Sequence, residues 1–208
     1  RLIEPTSGEI IIDNDNVLEI NATELREFRR FKASMVFQRF ALLPHRTIAN
    51  NVAYGLTIQE VAEEEASERS KKWINRVGLA GFENHYPAQL SGGMQQRVGL
   101  ARALATNAEI LLMDEAFSAL DPLIRSDMQD VLLGLQEELH KTIVFITHDL
   151  DEALRIGDSI AILRDGAIVQ KGSPQDIILQ PVNDYVADFT KDINRGRVLK
   201  VASIMDSE

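Results

Sequence analysis

The chain has 208 residues, of which 45% are hydrophobic, and this fits one large domain or a core with a small appended lobe. It has no cysteine, which excludes a disulfide framework and thiol chemistry, and its net charge of −10 argues against a nucleic-acid-binding surface. No apolar run approaches the roughly 18 residues needed to cross a bilayer, and the first residues show no signal-peptide pattern, so we expect any membrane role to come through a partner.

The first part of the chain predicts a β-hairpin followed by a short helix. The expected elements are a strand at Glu9–Asp13, a polar turn at Asp13–Asn16, a strand at Val17–Ile20, and a helix capped by Thr23 that runs through Phe31. The residues before them, 1–8, lack a start methionine and resemble the tail of a helix followed by a turn.

A compact apolar strand, Ala33–Phe37, brings Gln38 to its C-terminal end. Ligands gather outside such strand ends in open α/β sheets, although a single Gln there is more often a polar loop residue. After a loop, helices are predicted over Ile48–Ile58 and Gln59–Val77, which form a small, mostly helical insert. The second helix is acidic early and basic late, an order that complements a helix dipole and fits a solvated face.

The Ser-Gly-Gly turn at Ser91–Gly93 opens directly into a helix predicted over Met94–Ala105. Glycines let the backbone approach a ligand closely, and a helix start aims unpaired N–H groups and the positive end of its dipole outward. This pattern is typical of an anion site, most often for phosphate. Taken alone, the same residues are better explained as an N-cap at Ser91 and a glycine loop.

Four consecutive apolar residues lead into two carboxylates, Asp114 and Glu115. We predict a strand over Glu109–Glu115 that is buried on both faces, as in a parallel sheet. Carboxylates at its end are costly unless they are used or paired. One use is a magnesium ion held near phosphates, with the neighbouring carboxylate orienting water.

A turn, an amphipathic helix and a further apolar strand follow. Ser118–Pro122 forms the turn, with its proline well placed at the first helical position, and apolar residues then recur at core-facing spacing. The strand Thr142–Thr147 ends at His148. A His at a strand end is often structural, and beside Asp149, at the start of a short helix, it is equally well explained by local hydrogen bonds.

The last part of the chain predicts a β-hairpin, a helical region and a linker. The hairpin strands are Ser159–Leu163 and Ala167–Gln170, joined through Arg164-Asp165-Gly166, a strong hairpin signal. Ser173-Pro174 opens the helical region, and the charged, mixed stretch 189–208 resembles a linker toward a further segment.

Five sites, each weak alone, form an ordered set. They are the strand-end Gln38, the Ser91–Gly93 turn, the strand ending in Asp114-Glu115, the turn with Asp121, and the strand-end His148. Strands alternate with helices, which predicts an α/β fold with a mostly parallel sheet and helices on both faces. Several strand ends then converge on one edge, so five separate structural coincidences are a poor explanation.

With these motifs the chain, over about residues 1–190, resembles the nucleotide-binding subunit of an ATP-binding cassette (ABC) transporter. The resemblance implies a P-loop NTPase-like α/β core with a helical subdomain and a C-terminal β-hairpin and helices. The matching motifs are the signature at Leu90–Gln95, the Walker B strand at Ile110–Glu115, the Q-loop Gln38, the D-loop Ser118–Asp121 and the switch His148.

Three longer stretches of the sequence are similar to ATPases of bacterial glycine betaine/proline importers. The similar stretches are Met113–Arg125, Ile146–Ala153 and Asp192–Leu199. In that subgroup the last stretch leads toward a pair of CBS regulatory modules, which we expect to lie outside these 208 residues.

The resemblance implies catalytic and metal-binding roles. Glu115 is expected to be the general base or water-orienting carboxylate for attack on the γ-phosphate of ATP. Asp114 is expected to hold Mg²⁺, and Gln38 to contact both the metal and the attacking water. His148 is expected to contact the γ-phosphate.

The resemblance also implies a head-to-tail dimer with a second ATPase subunit. Ser91 and Gly93 are expected to bind ATP held by the other protomer, with Gly92 and Gln95 in the same nucleotide-binding motif, and Asp121 to communicate across the dimer. The other implied partners are membrane permease subunits and, indirectly, a substrate-binding protein, without nucleic acid. Such a subunit lies peripherally on the cytoplasmic face of the inner membrane.

The family pattern predicts four segments. They are 1–47, a truncated ATPase core with a β-subdomain and the Q-loop; 48–90, a helical subdomain; 91–190, the ATPase core with the remaining motifs; and 191–208, a linker toward a regulatory region.

The chain departs from the family pattern in two ways. Met94 stands where many members have Gln, which other importers tolerate. No G-x-x-x-x-G-K-[ST] loop occurs in the chain, so the Walker A loop and the adenine-stacking aromatic residue are expected upstream of Arg1. We therefore expect the 208-residue polypeptide to bind ATP poorly and hydrolyse little, and the sheet edge that normally packs around the Walker A strand to be exposed.

The leading hypothesis is an ATPase subunit that drives uptake of glycine betaine, proline or a related quaternary-amine osmolyte. One alternative is the ATPase of another ABC importer class. A second is a non-transport ABC ATPase of DNA repair or translation, which the short insert and the acidic charge disfavour. A third is a non-catalytic, degenerate module or fragment. The absent Walker A loop supports it for this polypeptide, whereas the intact Glu115 and His148 favour truncation of an active parent.

Overall fold

The structure, a computed structural model, describes residues 3–118, 120–191 and 193 of the 208-residue chain. Residues 1 and 2 of the helix tail predicted at the N-terminus, and most of the predicted linker at 191–208, lie outside these residues. The chain divides after Ile146 into two compact units. The four-segment division stays a prediction.

The first unit contains helices, a short hairpin and a three-stranded sheet. Its elements are β1 (Ile11–Ile12), β2 (Asp15–Asn16), α1 (Ala22–Glu27), a π-helical turn (Phe28–Lys32), β3 (Ala33–Val36), α2 (Ile48–Val52), α3 (Tyr54–Ile58), α4 (Glu63–Arg76), a 3₁₀ turn (Pro87–Gln89), α5 (Gly92–Ala105), β4 (Ile110–Asp114), α6 (Pro122–Leu139) and β5 (Thr142–Ile146).

The three-stranded sheet is parallel throughout, in the order β3-β4-β5. Ala33 lies opposite Ile110, which lies opposite Thr142, so the strands run in register. Parallel neighbours need crossover connections, and these contain the helices α2 to α6. The predicted α/β class with a parallel sheet is confirmed, and the carboxyl ends of all three strands meet at one edge.

One face of this sheet is covered and the other is open. Leu111 and Met113 on β4 are each 1% exposed, and Leu111 lines a small apolar cavity together with side chains of α5 and α6. On the opposite face Leu112, Val144 and Ile146 are 36%, 50% and 58% exposed. The prediction of burial on both faces is therefore wrong here, because alternate residues of a strand point to opposite faces and the described helices cover only one.

The N-terminal elements differ from the prediction in two details. The second hairpin strand is β2, before the predicted Val17–Ile20, because Asp13 and Asn14 form a tight turn with positive φ values of 52° and 69°. The N-cap of α1 is Asn21 and not Thr23. The Asn21 side chain accepts hydrogen bonds from the backbone N–H of Thr23 and Glu24, and the Glu24 carboxylate accepts one from the Asn21 backbone N–H, which completes a capping box.

The helical insert is more broken than its periodicity predicts. The helix expected over Ile48–Ile58 is two helices, α2 and α3, that meet at Ala53. The next helix begins at Glu63 and not at Gln59, because Glu60 has a φ of 60° that a right-handed helix does not allow. The apolar faces of α2, α3 and α4 pack against one another and against α5. Their side chains Ile48, Val52, Leu56 and Ile74 are each 0% exposed.

The second unit is a small α+β arrangement with its own apolar core. Its elements are α7 (Leu150–Ile156), β6 (Ile160–Arg164), β7 (Ala167–Gly172), α8 (Pro174–Leu179) and α9 (Asp184–Thr190). The two strands pair antiparallel as predicted, through a turn at Asp165 and Gly166 with φ values of 51° and 79°. The core contains Leu154, Ile160, Ile162, Ile177, Ile178 and Val186.

Candidate active site

The carboxyl edge of the sheet brings Gln38 and Glu115 together. Gln38 follows β3, Glu115 follows β4, and the Gln38 side-chain amide donates a 2.7 Å hydrogen bond to Glu115 Oε2. The same amide lies 3.4 Å from Ser118 Oγ, which itself donates to the Glu115 carbonyl at 2.9 Å. Residues 77 positions apart thus form one polar cluster, as the parallel-strand interpretation predicts.

Glu115 is held in an unusual backbone conformation. Its φ is 42°, in the left-handed region that costs a non-glycine residue about 1–2 kcal/mol. Its N–H still donates to the Ile146 carbonyl at 2.9 Å, so the ladder to β5 extends one residue past the strand. Strained backbone persists where the surrounding structure over-determines it, and functional sites are a common place for it.

Asp114 lies on the open face of the sheet and is exposed, while Glu115 is half-buried. In the described part of the chain no group of three or more His, Asp and Glu side chains is arranged to hold a metal ion. Mg²⁺ commonly takes only one or two carboxylates and completes its octahedron with phosphates and water, so an exposed Asp114, next to Glu115 in the chain, fits that ion.

Ser91 is the N-cap of α5, and its Oγ accepts a 3.3 Å hydrogen bond from the Met94 N–H. Helix α5 begins at Gly92, so both glycines lie in its first turn and not in a loop. Ser91 and Gly92 are exposed, as a contact with an anion requires. The Gln95 side chain donates to the Leu90 carbonyl at 3.1 Å and so braces the same turn.

The two glycines serve different purposes. A Cβ at Gly92 would find its nearest neighbour, Phe40 Cζ, at 4.0 Å, so this position is open. A Cβ at Gly93 would lie 2.3 Å from Cγ2 of Ile124 on α6. The close-approach argument therefore suits Gly92, whereas Gly93 is required by the packing of α5 against α6.

Asp121 and His148 lie at the starts of two helices. Asp121 is the N-cap of α6, where its Oδ1 accepts from the Ile124 N–H at 3.1 Å. His148 belongs to the second unit and is exposed. The next residue, Asp149, caps α7 by accepting from the Glu152 N–H at 3.2 Å.

Two residues shape the site region without having been singled out from the sequence. Asn51 is fully buried and bonds both backbone groups of Leu43 and the carbonyls of Arg46 and Thr47, which fixes the loop before α2. Arg102 donates to the carbonyls of Phe40 and Ala41, in the turn that follows Gln38, and burial lowers the pKa of its guanidinium. The available signal was a polar residue on the apolar face of a predicted helix.

Comparison with known proteins identifies relatives over nearly the whole chain. The family model described as "ABC transporter" matches residues 1–118. The glycine betaine transport ATP-binding protein OpuAA of Bacillus subtilis is 58% identical over 205 residues, covering 99% of this chain and 49% of the relative. The glycine betaine/carnitine transport ATP-binding protein GbuA of Listeria monocytogenes is 59% identical over 205 residues, covering 99% and 52%. The chain thus spans about half the length of these curated relatives.

Comparison with solved structures also identifies ATP-binding cassettes. The ATP-binding cassette MJ0796, in a dimeric post-hydrolysis state bound to ADP and Pi, superposes with a TM-score of 0.74 at 38% identity, covering 83% of this chain and 76% of that one. Within the described ranges, no helix combines the length and the apolar character needed to span a membrane.

Proposed function

Because the chain belongs to the ABC transporter family, we propose that it is the ATP-hydrolysing part of an importer for glycine betaine, proline or a related quaternary amine. The observation that carries the hydrolytic part is the Gln38–Glu115 hydrogen bond of 2.7 Å at the carboxyl edge of a parallel sheet. A carboxylate held there by a side-chain amide is suited to orient a water molecule toward a phosphate. Phosphoryl transfer depends mainly on such positioning and on charge stabilisation.

The proposed catalytic roles follow the geometry of each side chain. Glu115 orients the attacking water and accepts its proton, and Gln38 fixes the Glu115 carboxylate through its amide N–H. The Gln38 amide oxygen would be a ligand for the metal and a partner for the water. Asp114, exposed beside them, is proposed to hold Mg²⁺, which when bound supplies positive charge against the phosphates. His148 is proposed to contact the γ-phosphate. The phosphate-binding loop of the same ATP is not among these 208 residues, which contain no Gly-Lys pair.

The proposed ATP site is shared between two subunits. Ser91, Gly92, Gly93 and Gln95 form or brace an exposed helix start, where N–H groups and the helix dipole favour a phosphate. We place that phosphate on ATP held by a second copy, with Asp121 at the same interface. The dimeric state of the similar cassette MJ0796 supports this arrangement.

The transported compound is inferred from the relatives, whose names specify glycine betaine. Selectivity resides in the other components of an importer, so we propose permease subunits and a substrate-binding protein as partners. The proposed location is the cytoplasmic face of the membrane, as a peripheral subunit. Uptake of a compound that is neither glycine betaine, proline nor a related quaternary amine would place the protein in a different importer class.

The test is ATP hydrolysis by the full-length protein that carries this sequence, with Glu115→Gln as the variant. We expect the variant to lose about 10²-fold or more in kcat, because general-base catalysis typically contributes that much, while ATP still binds. Glu109→Gln is a matched control, because it is the same substitution at the residue just before β4, whereas Glu115 is the residue just after it. Equal activity of Glu115→Gln and wild type would reject the proposed role, and a full-length wild type without ATPase activity would reject the function.

A further inference from the structure

We propose that Arg102 is a positioning residue for the Gln38–Glu115 pair, because it fastens the turn after Gln38 to helix α5. The proposal rests on the proposed function, since it concerns how Gln38 is held at that site. It assigns a role to the middle of α5, ten residues beyond its first residue, Gly92, and so outside the Ser-Gly-Gly motif.

The guanidinium of Arg102 bridges two successive carbonyls. Nη1 donates to the Ala41 carbonyl at 2.6 Å, and Nη2 donates to the Phe40 carbonyl at 2.9 Å. A planar fork with several donors fits such a pair, whereas the single ammonium of lysine does not span it in the same way. The side chain is partly buried, so these carbonyls also offset the cost of removing its charge from water.

The turn that Arg102 holds is strained. Phe40 and Ala41 have φ values of 56° and 46°, in the left-handed region, and neither is a glycine. The Ala41 N–H donates to the Arg39 carbonyl at 2.5 Å, which closes a very tight turn. Such a conformation persists only where neighbouring groups hold it. Arg102 binds the carbonyls of both strained residues.

Helix α5 is also shaped to receive this turn. A Cβ at Gly99 would lie 3.6 Å from the Phe40 carbonyl oxygen, and a Cβ at Gly92 would lie 4.0 Å from Phe40 Cζ. These glycines are seven residues apart and share one helix face, with Arg102 close to the same stripe. Phe40 therefore packs along α5 while Arg102 clamps its carbonyl.

The contacts form one continuous path. Arg102 holds Phe40, Phe40 lies two residues after Gln38, and Gln38 donates to Glu115. Without the clamp we expect the turn to relax toward ordinary φ values and to move Gln38 away from the Glu115 carboxylate. Because Gln38 and Glu115 are proposed to act on the attacking water, the loss is expected in kcat and not in the KM for ATP.

The experiment compares Arg102→Met and Arg102→Lys in the full-length protein. Arg102→Met is expected to lower kcat about tenfold, as the loss of a charge-assisted hydrogen bond predicts, with KM changed less than about twofold. The kcat of Arg102→Lys is expected to lie between those of the wild type and Arg102→Met. Hydrogen exchange at the Phe40 and Ala41 amides is expected to accelerate in the same order.

Rescue separates positioning from general stability. Glycine adopts positive φ without strain, so adding Ala41→Gly to Arg102→Met is expected to recover about threefold or more of the lost kcat. Arg97→Met is the matched control, because Arg97 is also on α5 and donates to a backbone carbonyl, that of Val77, at 3.0 Å. We expect its kcat to stay within about twofold of wild type.

Two results would overturn the proposal. One is an Arg102→Met variant with unchanged kcat and unchanged exchange at Phe40 and Ala41. The other is a loss of kcat that Arg97→Met reproduces and Ala41→Gly does not relieve. If the wild-type protein hydrolyses no ATP, the proposed function fails, and the exchange rates alone then decide whether Arg102 holds the turn.

Discussion

At the scale of single residues, the packing of the start of α5 depends on Gly93, which lies against Ile124 of α6. Gly93 is buried, and the position of its missing Cβ is 2.3 Å from Cγ2 of Ile124. Real Cβ contacts are essentially never this short, so a side chain at 93 must displace the Ile124 side chain or the first turn of α6 that carries it. That turn begins at Asp121, and the Gly93–Ile124 contact therefore links two of the motifs proposed to meet ATP.

We predict that Gly93→Ala destabilises the fold by about 1–3 kcal/mol, the usual cost of overpacking a well-packed site. Gly92→Ala is the matched control and should change the free energy of unfolding by less than about 0.5 kcal/mol, because that position is open. Urea denaturation measures both. Ile124→Ala in the Gly93→Ala background should be less harmful than the two single effects together predict, and strict additivity of the two would contradict the contact.

At the scale of elements, a bidentate ion pair ties α4 to α6. Both guanidinium ends of Arg76 donate to the Glu138 carboxylate, Nη1 at 2.9 Å, and Arg76 also stacks over Trp73 with 5.1 Å to the ring centroid. The hydrogen bond from Arg76 lowers the pKa of Glu138 below its ordinary value of 4.5, and the same contact raises the pKa of Arg76. The pair is exposed on the Glu138 side, so salt is expected to weaken it.

The pH dependence of this pair has a definite sign. A carboxyl whose pKa is lower in the folded state contributes stability above its unfolded pKa and loses it as the pH falls through its folded pKa. We therefore predict that Glu138→Gln is less stable than wild type at pH 7 and that the difference shrinks below about pH 4.5. Urea midpoints measured from pH 7 to pH 3 test this, with the exposed neighbour Glu137→Gln as control. A difference that is constant over this range would exclude the pair as its source.

Some elements set by local chemistry were predictable from the sequence, although the N-cap of α1 at Asn21 was not, and elements set by distant packing were not predictable. The Asp165-Gly166 turn and the Ser91 cap depend on two to four neighbouring residues, and both were predicted. The break between α2 and α3 and the exposure of Val144 depend on what packs against them. Four apolar residues in a row are typical of a strand covered on both faces, but the run does not show which element covers each face.

In the candidate site, too, some contacts were predictable from the sequence and others depend on distant packing. The meeting of Gln38 and Glu115 was predictable, because parallel strands deliver their carboxyl ends to one edge of the sheet. The contact between Gly93 and Ile124 was not, since no periodicity identifies which helix faces a glycine. Arg102 is one of two arginines in the sequence of α5, and only the structure shows the two carbonyls that it binds.

At the scale of the whole molecule, the proposed function requires a second copy. The exposed start of α5 presents Ser91 and Gly92 outward, away from the Ile124 contact that buries Gly93. An exposed helix start attracts a negatively charged group, and its own chain supplies no acidic residue in the first turn. The phosphate of an ATP held by the partner is the group that we propose for it.

We predict that ATP drives dimerisation of the full-length Glu115→Gln variant, in which slow hydrolysis preserves the complex, and that Gly92→Asp prevents it. The new carboxylate occupies the exposed helix start, where it suits the helix dipole and leaves the fold stable, but it repels the incoming phosphate. Gly134→Asp is the matched control, because Gly134 is also a helical glycine with nothing within 4 Å of its Cβ position. Size-exclusion chromatography with Mg²⁺ and ATP measures the result. A Gly92→Asp protein that dimerises as well as the Gly134→Asp control would show that this helix start does not face the partner's nucleotide.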